Sequence, residues 1–496
     1  MLSRLALTLG VLASTVVPTA AQAIPDRPEK LTFKPMTFDV PKAKDARIKL
    51  KNGIIAYVLP DPTGQPLVTV SLLIKGGSYL EAPGKEGSVS LMGSLLRSGG
   101  TTKTPADQLD EKLEFLAANL MSNLGDTQGM LNLNLLSKDA KEGLGLMVEV
   151  LTQPAFAQDR LDLAKKNLRQ AMERRNDDST TIERQQLGYL LRGEAYYTNH
   201  QPTGASLDAI TREDLQALHA RLIHPENFIL SVSGNFDRKA MEKLLNETFG
   251  ALKPGAKAQK SAAIPAAPFA AKPGIYVVDK DVNQGRVSFS LPGLRRTDAD
   301  YYAVTVMNDI LGGGGFTSRL VKKIRSDEGL AYSAGSGFTP GLFFPGDFRA
   351  AFQSKSRSVA YGIRLAMAEM EKMRTAPVSS EELAVAKGSL VDGFPANFSN
   401  KAAVVGTFAT YDYAGLNADQ LLGEYRAKIQ AVTAADVQRV AQKYLTLDKV
   451  AILVVGKASD VEEGDVKDHP GKLSEAAKLP LVKLPLRDPL TLKPLK

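Results

Sequence analysis

Two periods of hydrophobic spacing alternate irregularly along this chain. Val68 to Ile74, Arg286 to Leu291 and Asp347 to Phe352 read as strands, the last two with a clean apolar–polar alternation. Ile229 to Gly234 and Ala451 to Gly456 are short apolar runs closed by glycine, the pattern of buried strands. Helical spacing fills Gly87 to Leu96, Ala106 to Ala118, Ala140 to Leu151, Arg160 to Arg175 and Val359 to Arg374. Strands and helices interleave without the regular alternation of a parallel sheet, which predicts an α+β fold.

The pattern also repeats, at an offset of 222 residues. Thr211-Arg212-Glu213-Asp214-Leu215 aligns with Thr433-Ala434-Ala435-Asp436-Val437, and Ile229–Gly234 with Ala451–Gly456. Upstream, Leu161, Ala164 and Lys165 align with Leu383, Ala386 and Lys387. Thr211 and Thr433 are both placed to cap a helix, with an acid in its first turn. Between the copies, residues 251–273 are rich in Ala, Lys and Pro and read as an exposed linker. The expected organisation is a leader over 1–23, an extension over 24–45, domains over 46–250 and 274–458, and a Pro/Leu/Lys-rich tail over 459–496. The prolines predict a tail that is extended or disordered.

The leader reading rests on Arg4, the apolar stretch Leu5 to Val17 and the cleavage signal Ala21-Gln22-Ala23. It predicts export, most simply to a bacterial periplasm, and no later run is long enough for a membrane span. The chain has no cysteine, which excludes disulfides, thiol catalysis and cysteine-based zinc sites. Charged residues make up 23% and apolar residues 44%, an ordinary globular balance. The net charge of +8 forms no aromatic-interleaved basic stripe, which argues against nucleic-acid binding.

Candidate chemistry begins with Gly76-Gly77-Ser78-Tyr79-Leu80-Glu81, followed by the helical segment that contains Ser90, Gly93 and Ser94 and ends at Gly99-Gly100-Thr101. This frame resembles that of the pitrilysin/insulysin-type zinc peptidases, the inverzincins, where H-x-x-E-H stands at the positions of Ser90, Gly93 and Ser94. Catalytic zinc needs three protein ligands and a general base. Serine is a poor ligand and glycine supplies no carboxylate. The family's third ligand is a Glu on a later helix; the matching stretch here, Lys165 to Met172, is basic, and Glu173 reads as a solvated residue. The four histidines, His200, His219, His224 and His469, are too scattered to replace these ligands. No nucleophile–base constellation suggests a serine hydrolase.

The sharpest positive signal is Gly312-Gly313-Gly314-Gly315-Phe316, then a predicted helix over Thr317 to Arg325, then a strand that starts near Leu330 and contains Tyr332. Four glycines let another backbone approach closely. They match neither a Walker loop nor a dinucleotide fingerprint. The block resembles the glycine-rich loop and Arg/Tyr pair of the inverzincin C-terminal domain, with Arg325 and Tyr332 seven positions apart. The resemblance covers about Asp45 to Lys457. It implies two homologous mixed-sheet domains forming half of a clamshell. It further implies that Arg325, Tyr332 and Gly312 to Gly315 bind the substrate backbone, while a homologous partner subunit supplies zinc. No cofactor and no catalytic residue are expected in this chain alone. The expected function is a non-catalytic subunit of a zinc peptidase heterodimer; the alternative is a non-enzymatic scaffold or peptide-binding protein.

Overall fold

Two mixed six-stranded sheets organise the computed structural model, which describes residues 38–253 and 261–495. The predicted leader lies outside the described residues. The first sheet contains β1 (Arg47–Lys49), β2 (Ile55–Pro60), β3 (Leu67–Lys75), β4 (Asn119–Leu124), β5 (Gln128–Leu136) and β6 (Phe228–Gly234), in the order β1-β2-β6-β3-β5-β4. The second contains β7 (Gly274–Asp279), β8 (Gln284–Pro292), β9 (Ala331–Thr339), β10 (Asp347–Lys355), β11 (Ala451–Gly456) and β12 (Leu481–Leu484), in the order β12-β7-β11-β8-β10-β9. The pairings correspond: β2 with β6 and β7 with β11 are parallel, and the four strands from β6 to β4 and from β11 to β9 are antiparallel. The outer strand differs, because β1 is antiparallel to β2 whereas β12 is parallel to β7.

Each sheet buries one face under helices of its own half. Val68, Val70, Leu72 and Ile74 of β3 join one core; Val287, Phe289 and Leu291 of β8 join the other. The opposite faces are covered by exchange. Helix Ser179–Arg192 of the first half packs on the second sheet, where Ile182, Leu187 and Leu191 meet Val278, Leu453 and Val455. Its counterpart 222 residues on, helix Lys401–Tyr413, packs on the first sheet. There Ser231 Oγ donates to Val405 O (3.1 Å) and Tyr57 OH to Asp412 (2.7 Å). The exchange explains why Ala451 to Gly456 is apolar throughout: both faces of β11 are buried. β10, which the helix reaches only through the Glu183 and Arg192 side chains, keeps strict alternation, with Phe348, Ala350 and Phe352 buried between more exposed residues.

Buried Glu183 lies within the exchanged helix and accepts from Arg286 Nε (2.8 Å), Ser288 Oγ (2.5 Å) and Arg349 Nη2 (2.9 Å), all on the second sheet. These bonds and the two cations hold its carboxyl below the usual range despite burial. The predicted helix caps are present in full: Thr211 with Asp214 and Thr433 with Asp436 form reciprocal capping boxes.

The tail opens with a short helix, Ala458–Glu463, contrary to the expectation from its prolines, because that stretch precedes the first of them, Pro470; beyond Pro480 it is extended. It supplies β12, and then its backbone carbonyls accept from first-half side chains: Pro485 from Gln186 (3.0 Å), Arg487 from Asn176 (2.8 Å) and Pro489 from Arg175 (2.7 Å). Among the described residues, no helix is long and apolar enough to cross a membrane.

Glu183→Ala leaves two guanidinium groups without their shared buried carboxylate. Denaturant unfolding is expected to show a loss of about 3–5 kcal/mol.

Candidate functional site

Helix Ser88–Ser98 carries the three positions where the metal motif would stand. Glu81 caps it, accepting from Gly87 N (3.1 Å) and Val89 N (2.7 Å), and burial pushes that carboxyl up to about 7. Ser90 and Ser94 lie exposed on one face, one helical turn apart, and Ser94 Oγ donates back to Leu91 O (3.0 Å). Gly93 is buried against β4, the free edge of the first sheet. A Cβ at Gly93 would lie 2.5 Å from Leu124 N, and Ser122 Oγ donates to Gly93 O (2.6 Å). The catalytic carboxylate is therefore missing and the space for it is closed.

The helix expected to carry the third ligand, Gln158–Glu173, is tied up in other contacts. Lys165 donates to the backbone carbonyl of Ile210, Arg169 pairs with Asp208, and Glu173 is exposed. The histidines lie apart. His219 Nε2 donates to Leu151 O (2.8 Å) and its burial lowers its pKa; His224 is buried against Asn227. His469 stacks on Tyr361 (4.0 Å), and His200 lines a cleft beside Arg487. Among the described residues, no group of three or more His, Asp or Glu is placed to hold a metal.

The second half concentrates its distinctive chemistry around the glycine run. Helix Tyr301–Asn308 loosens into a π-helical turn, Asp309–Gly313, and a second one follows at Val321–Asp327. The segment predicted as one α-helix from Thr317 to Arg325 is thus largely π-helical. Insertions of this kind re-aim side chains and recur at functional sites. The outcome here is a stack: the Arg325 guanidinium lies 4.5 Å from the Phe316 ring centre and 4.7 Å from that of Tyr332. Both rings are exposed, Phe316 at 68% and Tyr332 at 85%. A cation between two aromatic faces is held by their quadrupoles, which keeps its N–H groups oriented without a carboxylate partner.

The glycines serve this arrangement unequally. At Gly312 a Cβ would overlap the Ser336 backbone nitrogen, so the chain that approaches closely is this protein's own β9. Gly313 and Gly314 pack against Asn308 and Asp309; only Gly315, with φ +61° and open space at its Cβ, faces outward unobstructed. Tyr332 stands near the start of β9, which is the free edge of the second sheet.

Ion pairs anchor the segment. Arg319 grips Glu382 through two bonds (2.6 and 2.9 Å), and Glu382 also caps helix Ser380–Gly393. The bonds to Arg319 hold the Glu382 carboxyl down to about 2. Lys323 pairs with Glu328 (2.7 Å), which also accepts from Tyr361 OH (3.0 Å). Asp309, at the first π turn, has its carboxyl pushed up to about 6 by burial. A cleft of about 640 Å³ opens here, bordered by Asp309, Phe316, Arg319, Lys322 and Glu382.

Two family models match the chain: "Insulinase (Peptidase family M16)" over residues 57–198 and "Peptidase M16 inactive domain" over 209–390. The chain belongs to the M16 peptidase family. Relatives of this M16 chain include an uncharacterized zinc protease of Rickettsia bellii, 25% identical over 59% of this chain and 69% of the relative. A non-peptidase homolog of Helicobacter pylori is 26% identical over 71% of this chain and 80% of the relative. A crystal structure described as a peptidase M16 inactive domain, from Pseudomonas fluorescens, shares the fold, with TM-score 0.74 and 24% identity over 83% of this chain and 97% of that one.

Phe316 stood in the sequence only as the end of the glycine run, with no role assigned to it. Its signal, an aromatic residue directly after the glycines, is local, but its contact with Arg325 depends on the π turn between them.

Three outcomes are expected. Gly93→Glu should lower stability by about 1–3 kcal/mol, and Ser90→His, Gly93→Glu, Ser94→His together should not retain stoichiometric zinc after dialysis, as metal analysis would show. Glu382→Gln should lower the Tm at pH 7 by the equivalent of about 1 kcal/mol. Because the folded pKa of Glu382 is depressed from an ordinary 4.5, its stabilisation is present above pH 4.5 and lost as pH falls towards 2. The Tm difference from wild type should close across that interval in a pH series.

Proposed function

We propose that this chain is the non-catalytic partner subunit of a periplasmic zinc metallopeptidase. A homologous subunit, in a heterodimer or a dimer of heterodimers, supplies zinc, a glutamate base and the attacking water. This chain contributes Arg325 and Tyr332, with Gly315 keeping the approach open beside them and Gly312 seating the loop on β9. Two half-clamshell chains enclose an extended peptide, which pairs by its backbone with a free strand edge. Enclosure favours short or unfolded peptides over folded proteins.

One observation carries this reading. A chain whose metal positions hold Ser90, Gly93 and Ser94 nevertheless presents Arg325 clamped between Phe316 and Tyr332 at the head of an unpaired edge strand. Guanidinium and phenol both donate to a peptide carbonyl, and donors aimed at a developing oxyanion stabilise the transition state. A pure scaffold has no use for such a group held ready between two exposed rings. The inactive-domain match and the Helicobacter pylori non-peptidase homolog accord with a member that does not cut by itself.

The test is capture of partners from the native envelope fraction by the tagged chain, followed by kinetics of the recovered complex. A stoichiometric partner bearing H-x-x-E-H is expected. Arg325→Ala and Tyr332→Phe should each lower kcat/KM by about tenfold or more with assembly intact. Recovery of the chain alone, or unchanged kinetics in both variants, would replace this reading with the scaffold one.

A further inference from the structure

The exchanged helix Ser179–Arg192 covers β11 and β8 but stops short of the free edge, which leaves a groove of about 540 Å³ over β10 and β9. Its floor is built from small residues: Ala351 on β10 pairs with Gly335 on β9, and Arg349 pairs with Gly337. A Cβ at Gly337 would meet nothing within 4 Å, so the groove runs open towards the unpaired edge. The walls are charged. Arg286 and Arg349 both line the groove and share one carboxylate, Glu183. Two cations on one anion leave one positive charge, and neither arginine has another acidic partner among the described residues. Their remaining bonds are neutral: Arg286 Nη1 donates to Gln353 Oε1 (3.0 Å) and Arg349 Nε to Ser288 Oγ (3.0 Å). Arg349 Nη1 and Arg286 Nη2 have no partner among the described residues, and the Arg349 side chain is 47% exposed.

We propose that this groove is a carboxylate-recognition subsite, which makes the chain selective for acidic peptides. The proposal rests on the reading of β9 as the edge that a peptide joins. A strand added beside β9 directs alternate side chains to each face of the sheet. One that enters the groove meets a guanidinium fork, already oriented by Glu183 and Ser288, with unused N–H groups. Glu183 plays the positioning part: it pins both guanidiniums while neutralising only one of them. The carboxylate is either an Asp or Glu side chain or the peptide's own C-terminus.

Equilibrium binding of fluorescent extended peptides of about ten residues to the full chain tests this. A Gln parent is compared with single Glu replacements at each position, each as free acid and as C-terminal amide. At one position Glu should bind about tenfold tighter than Gln, the size expected for one charge-assisted bond. A preference for free acid over amide would instead identify the terminal carboxylate as the ligand. Either preference should weaken with added salt, should collapse towards unity in Arg349→Gln, and should partly survive in Arg349→Lys. Should Arg349→Gln fail to fold, the wild-type ratios and their salt dependence decide alone. Peptides that bind with no carboxylate preference would overturn the subsite and leave the edge-strand reading standing. If no peptide binds, the edge-strand reading itself falls.

Discussion

One buried carboxylate ties the two halves of this molecule together. Glu183 lies on a helix that leaves its own half to cover the other half's sheet, where two arginines and a serine satisfy it. A charge taken that far from water is tolerable only with its partners in place, so the exchanged helix has one seat on the sheet. Where that helix ends determines the rest of the second half's surface. Under it, β11 and β8 are sealed on both faces; beyond it, β10 and β9 stay open. The groove, the unpaired edge and the exposed arginine all lie on the uncovered side.

The two halves use one frame for different ends. In the first, the helix that would bear metal ligands has drawn so close to edge strand β4 that only glycine fits at position 93, and its exposed face shows two serines. In the second, the corresponding helix loosens into π turns. Gly312 lets them settle on β9, and the extra residues swing Arg325 between two exposed rings. The first half closed the space that chemistry would need, while the second kept side chains exposed at some cost in burial.

Much of the architecture was legible because it is written in local patterns. Strand periodicity located the cores of β3, β8 and β10 to within a few residues, and Thr211 and Thr433 marked their helix starts through caps only three residues long. The repeat was legible because the halves share length and order from helix Gln158–Glu173 onward. The site was legible only in outline. Arg325 and Tyr332 stood out, but the sequence placed them on an α-helix and a strand with nothing between them. Phe316 was read as the end of a glycine loop, and Gly312 as room for another molecule's backbone when it is room for β9.

The sequence by itself determined which residues alternate, which cap and which cannot bind a metal, since each follows from a residue type and its near neighbours. For the tail it left extended and disordered forms open, and its prolines bar helix only from Pro470 onward. Tertiary structure alone decided that the tail becomes β12, that Glu183 reaches Arg286 and Arg349 across the halves, and that Arg325 is clamped rather than free. These contacts join residues far apart in the chain, or hinge on a single added residue in a helical turn. No local pattern encodes such pairings; they exist only once both sheets have formed and the exchanged helices have taken their places.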